Sequence, residues 1–148
     1  MKTVLFLCTG NYYRSRFAEL FFNWHAAQQG LSWQATSRGL GLDPSNPGPL
    51  SRHTLLRLRI LGIPTEAIPR WPMAARPEDF EAADHIVAVK ETEHRPMILR
   101  RFPNWVDRVE FWEVHDLDCA GPEEAMPCLE REVVALIERL SDSGPVDG

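Results

Sequence analysis

The sequence has few of the features that mark disulfide-rich or metal-binding proteins. Its 148 residues include only three cysteines, Cys8, Cys119 and Cys128. Three is an odd number and too few for a disulfide framework, and no two of them have the C-x2-C spacing of a metal site. We therefore expect a protein of a reducing, cytoplasmic compartment.

Long apolar runs and basic tracts are also missing. The first apolar run, residues 4–7, is shorter than the ~7–15 apolar residues of a signal-peptide core, and no other stretch approaches the ~18 residues of a membrane span. The 16 Lys and Arg residues against 21 Asp and Glu residues give a net charge of −5. We therefore expect neither a nucleic acid nor an anionic membrane as a partner.

The remaining composition is typical of one globular domain. Apolar residues make up 44% of the chain and charged residues 25%, which excludes a disordered or low-complexity protein. The length fits a single domain over residues 1–140. Residues 141–148 are predicted to form a flexible tail.

Predicted strands and helices alternate along the chain. Short apolar or β-branched segments predict strands over residues 2–7, 31–37, 85–89 and 109–114. Helical periodicity predicts helices over residues 15–30, 51–61, 91–101 and about 129–140. Gly- and Pro-rich segments predict irregular connections over residues 38–50 and 64–77. This alternation predicts an α/β fold, a parallel twisted sheet with helices on both faces, in which ligands bind beyond the carboxyl ends of the strands.

The turn after the first strand carries the most specific chemical pattern. Five residues separate Cys8 from Arg14, and Ser15 follows at the start of a predicted helix. Such a turn can wrap so that its backbone N–H groups converge on one anion, and the helix N-terminus adds its dipole. The planar guanidinium of Arg14 can bind two phosphate oxygens, and the same field stabilises Cys8 as a thiolate. The spacing predicts a cysteine nucleophile in a phosphate site.

Other residues of the turn fit the same site. Gly10 and Asn11 tolerate the positive φ that a tight anion nest requires, and the Ser15 hydroxyl can reach back to the Cys8 sulfur. The residues predicted to bind phosphate are Thr9, Gly10, Asn11, Tyr12, Tyr13, Arg14 and Ser15. Tyr12 and Tyr13 either hold an aryl substrate at the rim or crowd the mouth, and the sequence leaves both open.

The opening of the chain resembles the low-molecular-weight protein tyrosine phosphatase family. The segment VLFLCTGNYYRSRFAE is similar to the family pattern VLFVC-x-G-N-x-C-R-S-P-x-A-E, and similarity continues at Ser37, Gly39, Leu61-Gly62-Ile63 and Asp84-His85-Ile86-Val87. The resemblance implies a four-stranded parallel sheet, and hydrolysis of phosphomonoesters through a phosphocysteine with no metal or other cofactor. Implied ligands are phosphotyrosine proteins, small aryl phosphates, and oxyanions such as phosphate and vanadate.

The resemblance also implies a general acid on a late loop, where the family has an Asp-Pro motif. Asp116 matches that aspartate, but a leucine replaces the proline, so Asp118 is a second candidate. The first motif departs from the family too, since Tyr13 replaces its second cysteine and Arg16 replaces its proline. His94 matches no motif, and we expect it to have a surface or packing role.

Two other classes of function stay open. A thiol-linked arsenate reductase uses a similar anion loop but needs two further cysteines; Cys119 and Cys128 are present, although that relay usually lies near the third strand. A noncatalytic module that binds phosphate or a phosphoprotein would fit the altered acid loop. An arginine-phosphate phosphatase would be a variant within the cysteine-dependent phosphatases, and it has Thr where this chain has Tyr12.

Overall fold

A computed structural model of the protein describes residues 1–65, 70–115 and 122–142. Its elements in chain order are β1 (Lys2–Cys8), α1 (Arg14–Gln28), β2 (Trp33–Gly39), α2 (Arg52–Ile60), α3 (Pro77–Ala82), β3 (His85–Ala88), α4 (Glu91–Arg101), a 3₁₀ helix (Pro103–Arg108), β4 (Val109–Phe111) and α5 (Pro122–Asp142). None of the helices within these ranges is long and apolar enough to cross a membrane.

The four strands form one parallel sheet in the order β2-β1-β3-β4. The predicted α/β fold, a four-stranded parallel sheet, is therefore confirmed. The connection leaving β1 runs to β2 on one side of it, and the connection leaving β3 runs to β4 on the other side, so the strand order reverses between β1 and β3. A ligand crevice is expected at such a switch point, and Cys8 is the last residue of β1.

Both faces of the sheet are covered, as the apolar run in β1 requires. Side chains alternate along a strand: Val4, Phe6 and Cys8 belong to one buried cluster, and Leu5 and Leu7 belong to the other. The first cluster contains residues of α1 and α5, and the second contains residues of α3 and α4. Cys8 thus packs on the side of the sheet that α1 covers.

Local signals account for several helix ends. The Ser51 side chain accepts a hydrogen bond from the backbone N–H of His53 and begins α2. Gly62, with φ 77°, follows the end of α2, and Gly30, with φ 67°, follows the end of α1. A left-handed residue after a helix lets the next N–H groups reach back to the last carbonyls, so the glycines that the sequence indicated as stops do end these helices.

Several elements differ from the prediction. The second strand lies two residues later than predicted, because Lys2 of β1 pairs with Trp33 and not with Leu31. The fourth strand ends at Phe111. The helix α3 begins at Pro77, the last residue of the predicted irregular connection, and continues over residues for which the sequence predicted no element. It can begin there because proline in the first helical turn needs no hydrogen-bond donor and the Asp79 carboxylate accepts from the Arg76 N–H.

The closing helix is longer than predicted at both ends, from Pro122 to Asp142. It therefore extends two residues into the segment that the sequence assigned to a flexible tail. The rest of that segment, residues 143–148, lies outside the described residues.

Candidate active site

The segment between β1 and α1 forms a loop whose carbonyl groups face outward. The carbonyl oxygens of Cys8, Thr9 and Tyr12 accept hydrogen bonds of 2.8–2.9 Å from backbone N–H groups of the connection between β2 and α2. The C=O and N–H of a trans peptide point in opposite directions, so the N–H groups that follow these carbonyls point into the loop. The geometry is that of an anion-binding nest.

Asn11 provides the left-handed turn of this loop, with φ 50°. The prediction that Gly10 shares this role is wrong, because the described glycines with positive φ lie elsewhere in the chain. A Cβ atom on Gly10 would lie 3.6 Å from Asn46 Nδ2, an ordinary contact. Asparagine tolerates the left-handed region because its short polar side chain can hydrogen-bond locally, and one such residue is enough to close the loop.

A different glycine is required for the loop to sit against the sheet. A Cβ atom on Gly39, at the end of β2, would lie 2.6 Å from Leu42 Cδ2 and 2.7 Å from the Thr9 carbonyl oxygen. Neither distance is possible for a real Cβ, and the second contact is with backbone. Gly39 therefore allows the close approach between β2 and the loop, which is the physical reason for the glycine on which the family resemblance drew.

Cys8 lies at the floor of a cavity of about 350 Å³. The Cys8 side chain is 2% exposed, and its Sγ lies 2.9 Å from the Ser15 Oγ. The cavity is lined by Cys8, Thr9, Gly10, Tyr12, Tyr13, Arg14, Gly41, Asp43, Asn46 and Ser51. Cys8 and five of the seven residues predicted to bind phosphate therefore border one cavity. Asn11 and Ser15 are not among its lining residues, and the Ser15 hydroxyl contacts the Cys8 sulfur.

Arg14 is buried and held at two points. Its Nη1 donates to the Val114 carbonyl oxygen at 3.1 Å, and its Nη2 lies 3.1 Å and 3.3 Å from the two carboxylate oxygens of Glu93. The guanidinium is 2% exposed. These contacts come from the segment after β4 and from α4, so two distant parts of the chain fix the plane of the guanidinium at the edge of the cavity.

Glu93 joins the loop to α4 through several hydrogen bonds. Its carboxylate accepts from the Thr9 hydroxyl and lies 3.2 Å from the His94 Nε2. Hydrogen bonding from His94, followed by bonds from Arg14 and Thr9, lowers the pKa of Glu93 well below its ordinary value, although burial acts in the opposite direction. Glu93 is therefore a fixed negative charge beside Arg14.

His94 has a larger role than the sequence predicted. The side chain is fully buried, and its Nδ1 accepts from the Lys90 N–H at 3.1 Å. The proton of a neutral ring then lies on Nε2, which is 3.1 Å from the Thr9 Oγ1. His94 thus contacts the loop directly, and the expectation of a merely surface or packing role is wrong.

Tyr12 and Tyr13 lie at different depths. Tyr12 is half-buried at the mouth, and its hydroxyl donates to the Pro47 carbonyl oxygen at 2.5 Å. Tyr13 is 6% exposed, and its ring lies edge-on to His53, with 6.3 Å between the ring centres. Tyr12 therefore forms an aromatic wall at the mouth of the cavity, and Tyr13 packs further inside.

The predicted acid loop lies outside the described residues, which include neither Asp116 nor Asp118 nor Cys119. The described chain reaches His115 on this side. Val114 is fully buried, its N–H donates to the Val89 carbonyl at 2.7 Å, and its carbonyl oxygen accepts from Arg14. The segment that leads into the candidate acid loop therefore starts beside the cavity.

Glu93 and His94 are the main residues that the sequence analysis missed. Their position in the chain could have indicated them, because α4 begins three residues after the end of β3. Residues that follow the carboxyl ends of parallel strands line the ligand crevice. The residue types gave no such indication, because glutamate and histidine are common on solvent-facing helices.

Replacing Glu93 by glutamine should lower kcat/KM by about tenfold, since Arg14 loses a charged hydrogen-bond partner. The same replacement should also make the free energy of unfolding fall less steeply as the pH is lowered. The pKa of Glu93 is lowered in the folded protein, so its contribution to stability is complete above its unfolded pKa of about 4.3 and is lost as the pH falls further. Activity at pH 7 and urea unfolding between about pH 3 and pH 7 measure the two effects.

Glu110 offers a matched control. Hydrogen bonds from His85, Arg139 and Trp112 also lower its pKa, against the opposing effect of burial, and these partners lie outside the loop. Glu110→Gln should therefore flatten the acid side of the stability profile while leaving kcat/KM at the wild-type value. Equal activity losses in both variants would show that Glu93 acts through general stability and not through Arg14.

Comparison with known proteins agrees with the fold and the loop. Residues 3–143 match the family described as low molecular weight phosphotyrosine protein phosphatase. The low molecular weight protein tyrosine phosphatase of T. tengcongensis is 25% identical, with a TM-score of 0.77 over 97% of this chain and 100% of that chain. YfkJ of Bacillus subtilis is 24% identical, with a TM-score of 0.84 over 97% and 96%.

A solved structure described as an arginine phosphatase is also similar. The YwlE arginine phosphatase of Geobacillus stearothermophilus is 25% identical, with a TM-score of 0.72 over 97% of this chain and 92% of that chain. A comparison with curated protein sequences gives no match. The family match covers nearly the whole chain and includes the Cys8–Ser15 loop, so the resemblance inferred from the sequence is confirmed. The chain belongs to the low molecular weight phosphotyrosine protein phosphatase family, whose members are cysteine-based phosphatases.

Proposed function

We propose that this protein hydrolyses phosphotyrosine on proteins through a phosphocysteine intermediate. The observation that carries the proposal is the placement of the Cys8 sulfur at the floor of a cavity bordered by inward-facing N–H groups and by Arg14. A dianionic phosphate fits that field, and a thiolate below it is aligned for attack on phosphorus.

The reaction proceeds in two steps. The Cys8 thiolate attacks phosphorus, and the bond to the leaving phenolate breaks as Asp116 donates its proton to the phenolate oxygen. Asp116 then removes a proton from water, which attacks the phosphocysteine and releases phosphate and the thiolate. The loop N–H groups and Arg14 stabilise the equatorial oxygens in both transition states, and Ser15 donates to the leaving sulfur. No metal or other cofactor takes part.

The wall of the cavity supports an aryl substrate. The bond from Tyr12 to the Pro47 carbonyl fixes the phenol ring at the mouth, and a fixed aromatic face favours stacking with a phosphotyrosine ring. An arginine-phosphate phosphatase of similar sequence has threonine at this position, which lacks such a face.

The proposed compartment is the cytoplasm, because its reducing conditions keep a cysteine nucleophile in the thiol or thiolate form.

A substrate panel tests the proposal. We expect hydrolysis of a phosphotyrosine peptide with kcat/KM about fivefold above that for a phosphoarginine peptide, because a stacked aromatic pair contributes about 1 kcal/mol, or about fivefold in rate, and the arginine side chain lacks a comparable ring. Tyr12→Thr should reduce this preference, and Tyr12→Phe, which keeps the ring, should retain it.

Three outcomes would contradict the proposal. Faster turnover of phosphoarginine than of phosphotyrosine would mean that the substrate is phosphoarginine, hydrolysed through the same phosphocysteine intermediate. Thiol-dependent reduction of arsenate without phosphatase activity would favour the reductase alternative, and tight phosphate binding with no turnover of any substrate would favour a binding module.

A further inference from the structure

A partly buried polar cluster of Arg70, Glu19, Ser37 and Asn11 contacts the loop, and the proposed reaction does not use it directly. Arg70 donates from Nη1 to the Asn11 Oδ1 at 3.1 Å and from Nη2 to the Ser37 Oγ at 2.9 Å and to the Glu19 Oε1 at 3.0 Å. Arg70 comes from the segment before α3 and Asn11 from the loop, so the cluster connects the nest to a distant part of the chain.

These contacts determine which way the Asn11 amide faces. Its Oδ1 accepts from Arg70 and from the Met73 N–H, at 3.1 Å and 2.9 Å. Its Nδ2 donates to Ser15 at 2.9 Å and to Ser37 at 2.8 Å, which uses both amide protons. The flipped amide would place its NH₂ group against two donors. Arg70 therefore helps to fix the amide with its nitrogen towards Ser15.

The orientation of Asn11 sets the direction of the next hydrogen bond. The Ser15 Oγ accepts from Asn11, so its own proton is directed to another acceptor, and the Cys8 sulfur lies 2.9 Å away. A hydroxyl that donates to sulfur stabilises the thiolate over the neutral thiol. The hydrogen bonds then run in one direction, from Arg70 to Asn11, from Asn11 to Ser15, and from Ser15 to Cys8.

We propose that Arg70 is a positioning residue for this phosphatase: it orients the Asn11 amide so that Ser15 donates its proton to the Cys8 sulfur. The inference rests on the proposed function, since the sulfur must be a thiolate both when it attacks phosphorus and when it leaves from the phosphocysteine. The cluster also carries a net positive charge beside the loop, because two arginines, Arg16 and Arg70, share one carboxylate, Glu19.

Arg16 holds Arg70 in place. It is 2% exposed, although arginine is seldom buried to this extent without a partner, and it donates to the Glu19 Oε1 at 3.0 Å and to the Arg70 carbonyl oxygen at 3.2 Å. Arg16 occupies the position where the family pattern has proline. This departure thus anchors both the backbone and, through Glu19, the side chain of Arg70.

The test is the rate at which Cys8 reacts with iodoacetamide, located by mass spectrometry of the peptide that contains Cys8. At a fixed pH of 6, Arg70→Met should lower this rate and kcat by about tenfold, the size expected for loss of one hydrogen bond in a network, with a smaller change in KM. Arg70→Lys should recover part of the loss. Arg57→Met is the control, because Arg57 bonds to Glu130 on α5 and not to the loop.

A double-mutant cycle separates the relay from general support of the loop. If Arg70 acts through Ser15, Arg70→Met should have little further effect on alkylation in a Ser15→Ala background. An undiminished effect there, or wild-type alkylation in Arg70→Met with a matching wild-type thermal midpoint, would overturn the proposal. Alkylation does not require turnover, so a relay that is present in a protein without phosphatase activity would contradict the proposed function alone.

Discussion

Replacing Cys8 by serine is expected to lower hydrolysis of an aryl phosphate by about 10⁴-fold or more, the effect of removing a nucleophile that no other group replaces. A serine hydroxyl is a much weaker nucleophile than a thiolate, and the side chain that the described residues place in contact with this position is the Ser15 hydroxyl, which is not a base. The loop N–H groups and Arg14 remain in place, so the variant should still bind phosphate and vanadate.

Kinetics and calorimetry together check this prediction. Turnover of the wild type and of Cys8→Ser is compared on one substrate, and vanadate affinity is measured by titration calorimetry. Cys128→Ser is the matched control, because Cys128 is a free, partly buried cysteine on α5, and its replacement should leave turnover unchanged. A chelator should also leave the wild-type rate unchanged. Substantial activity in Cys8→Ser would exclude the phosphocysteine mechanism.

The loop was predictable because its chemistry is local. Cys8, Arg14 and Ser15 lie within eight residues, and the strand before them and the helix after them are set by short-range apolar patterns. A turn of fixed length between such elements determines where the sulfur and the N–H groups point. Even here one detail was wrong, because the sequence offered two residues for the left-handed turn and only Asn11 adopts it.

The supporting residues were not predictable because they depend on the tertiary fold. Glu93 is 79 residues from Arg14 along the chain, and Arg70 is 59 residues from Asn11. The parallel sheet brings α4 to the loop, whereas Arg70 comes from a Pro-rich segment without periodicity. Glu93 and Arg70 acquire their roles from partners that the tertiary fold brings to them, and the local sequence around an isolated charged residue does not indicate those partners.

The largest effect after that of Cys8 is expected at the general acid. The Val114 carbonyl oxygen lies 3.1 Å from Arg14, and a chain extends at most about 3.6 Å per residue. Asp116 follows Val114 by two residues along the chain, and Asp118 follows it by four. The shorter connection favours Asp116 as the acid.

Asp116→Asn should lower kcat for phosphotyrosine by about 10²–10⁴-fold, the usual cost of losing a general acid. The loss should be smaller for an activated aryl phosphate, because a phenolate of low basicity leaves without a proton. Asp118→Asn is the matched variant, and both are measured on both substrates. If only Asp118→Asn shows a loss that depends on the leaving group, the acid lies two residues further along the chain. If neither variant shows it, this loop supplies no acid, and a module that binds phosphorylated proteins without hydrolysing them becomes the better explanation for the altered motif.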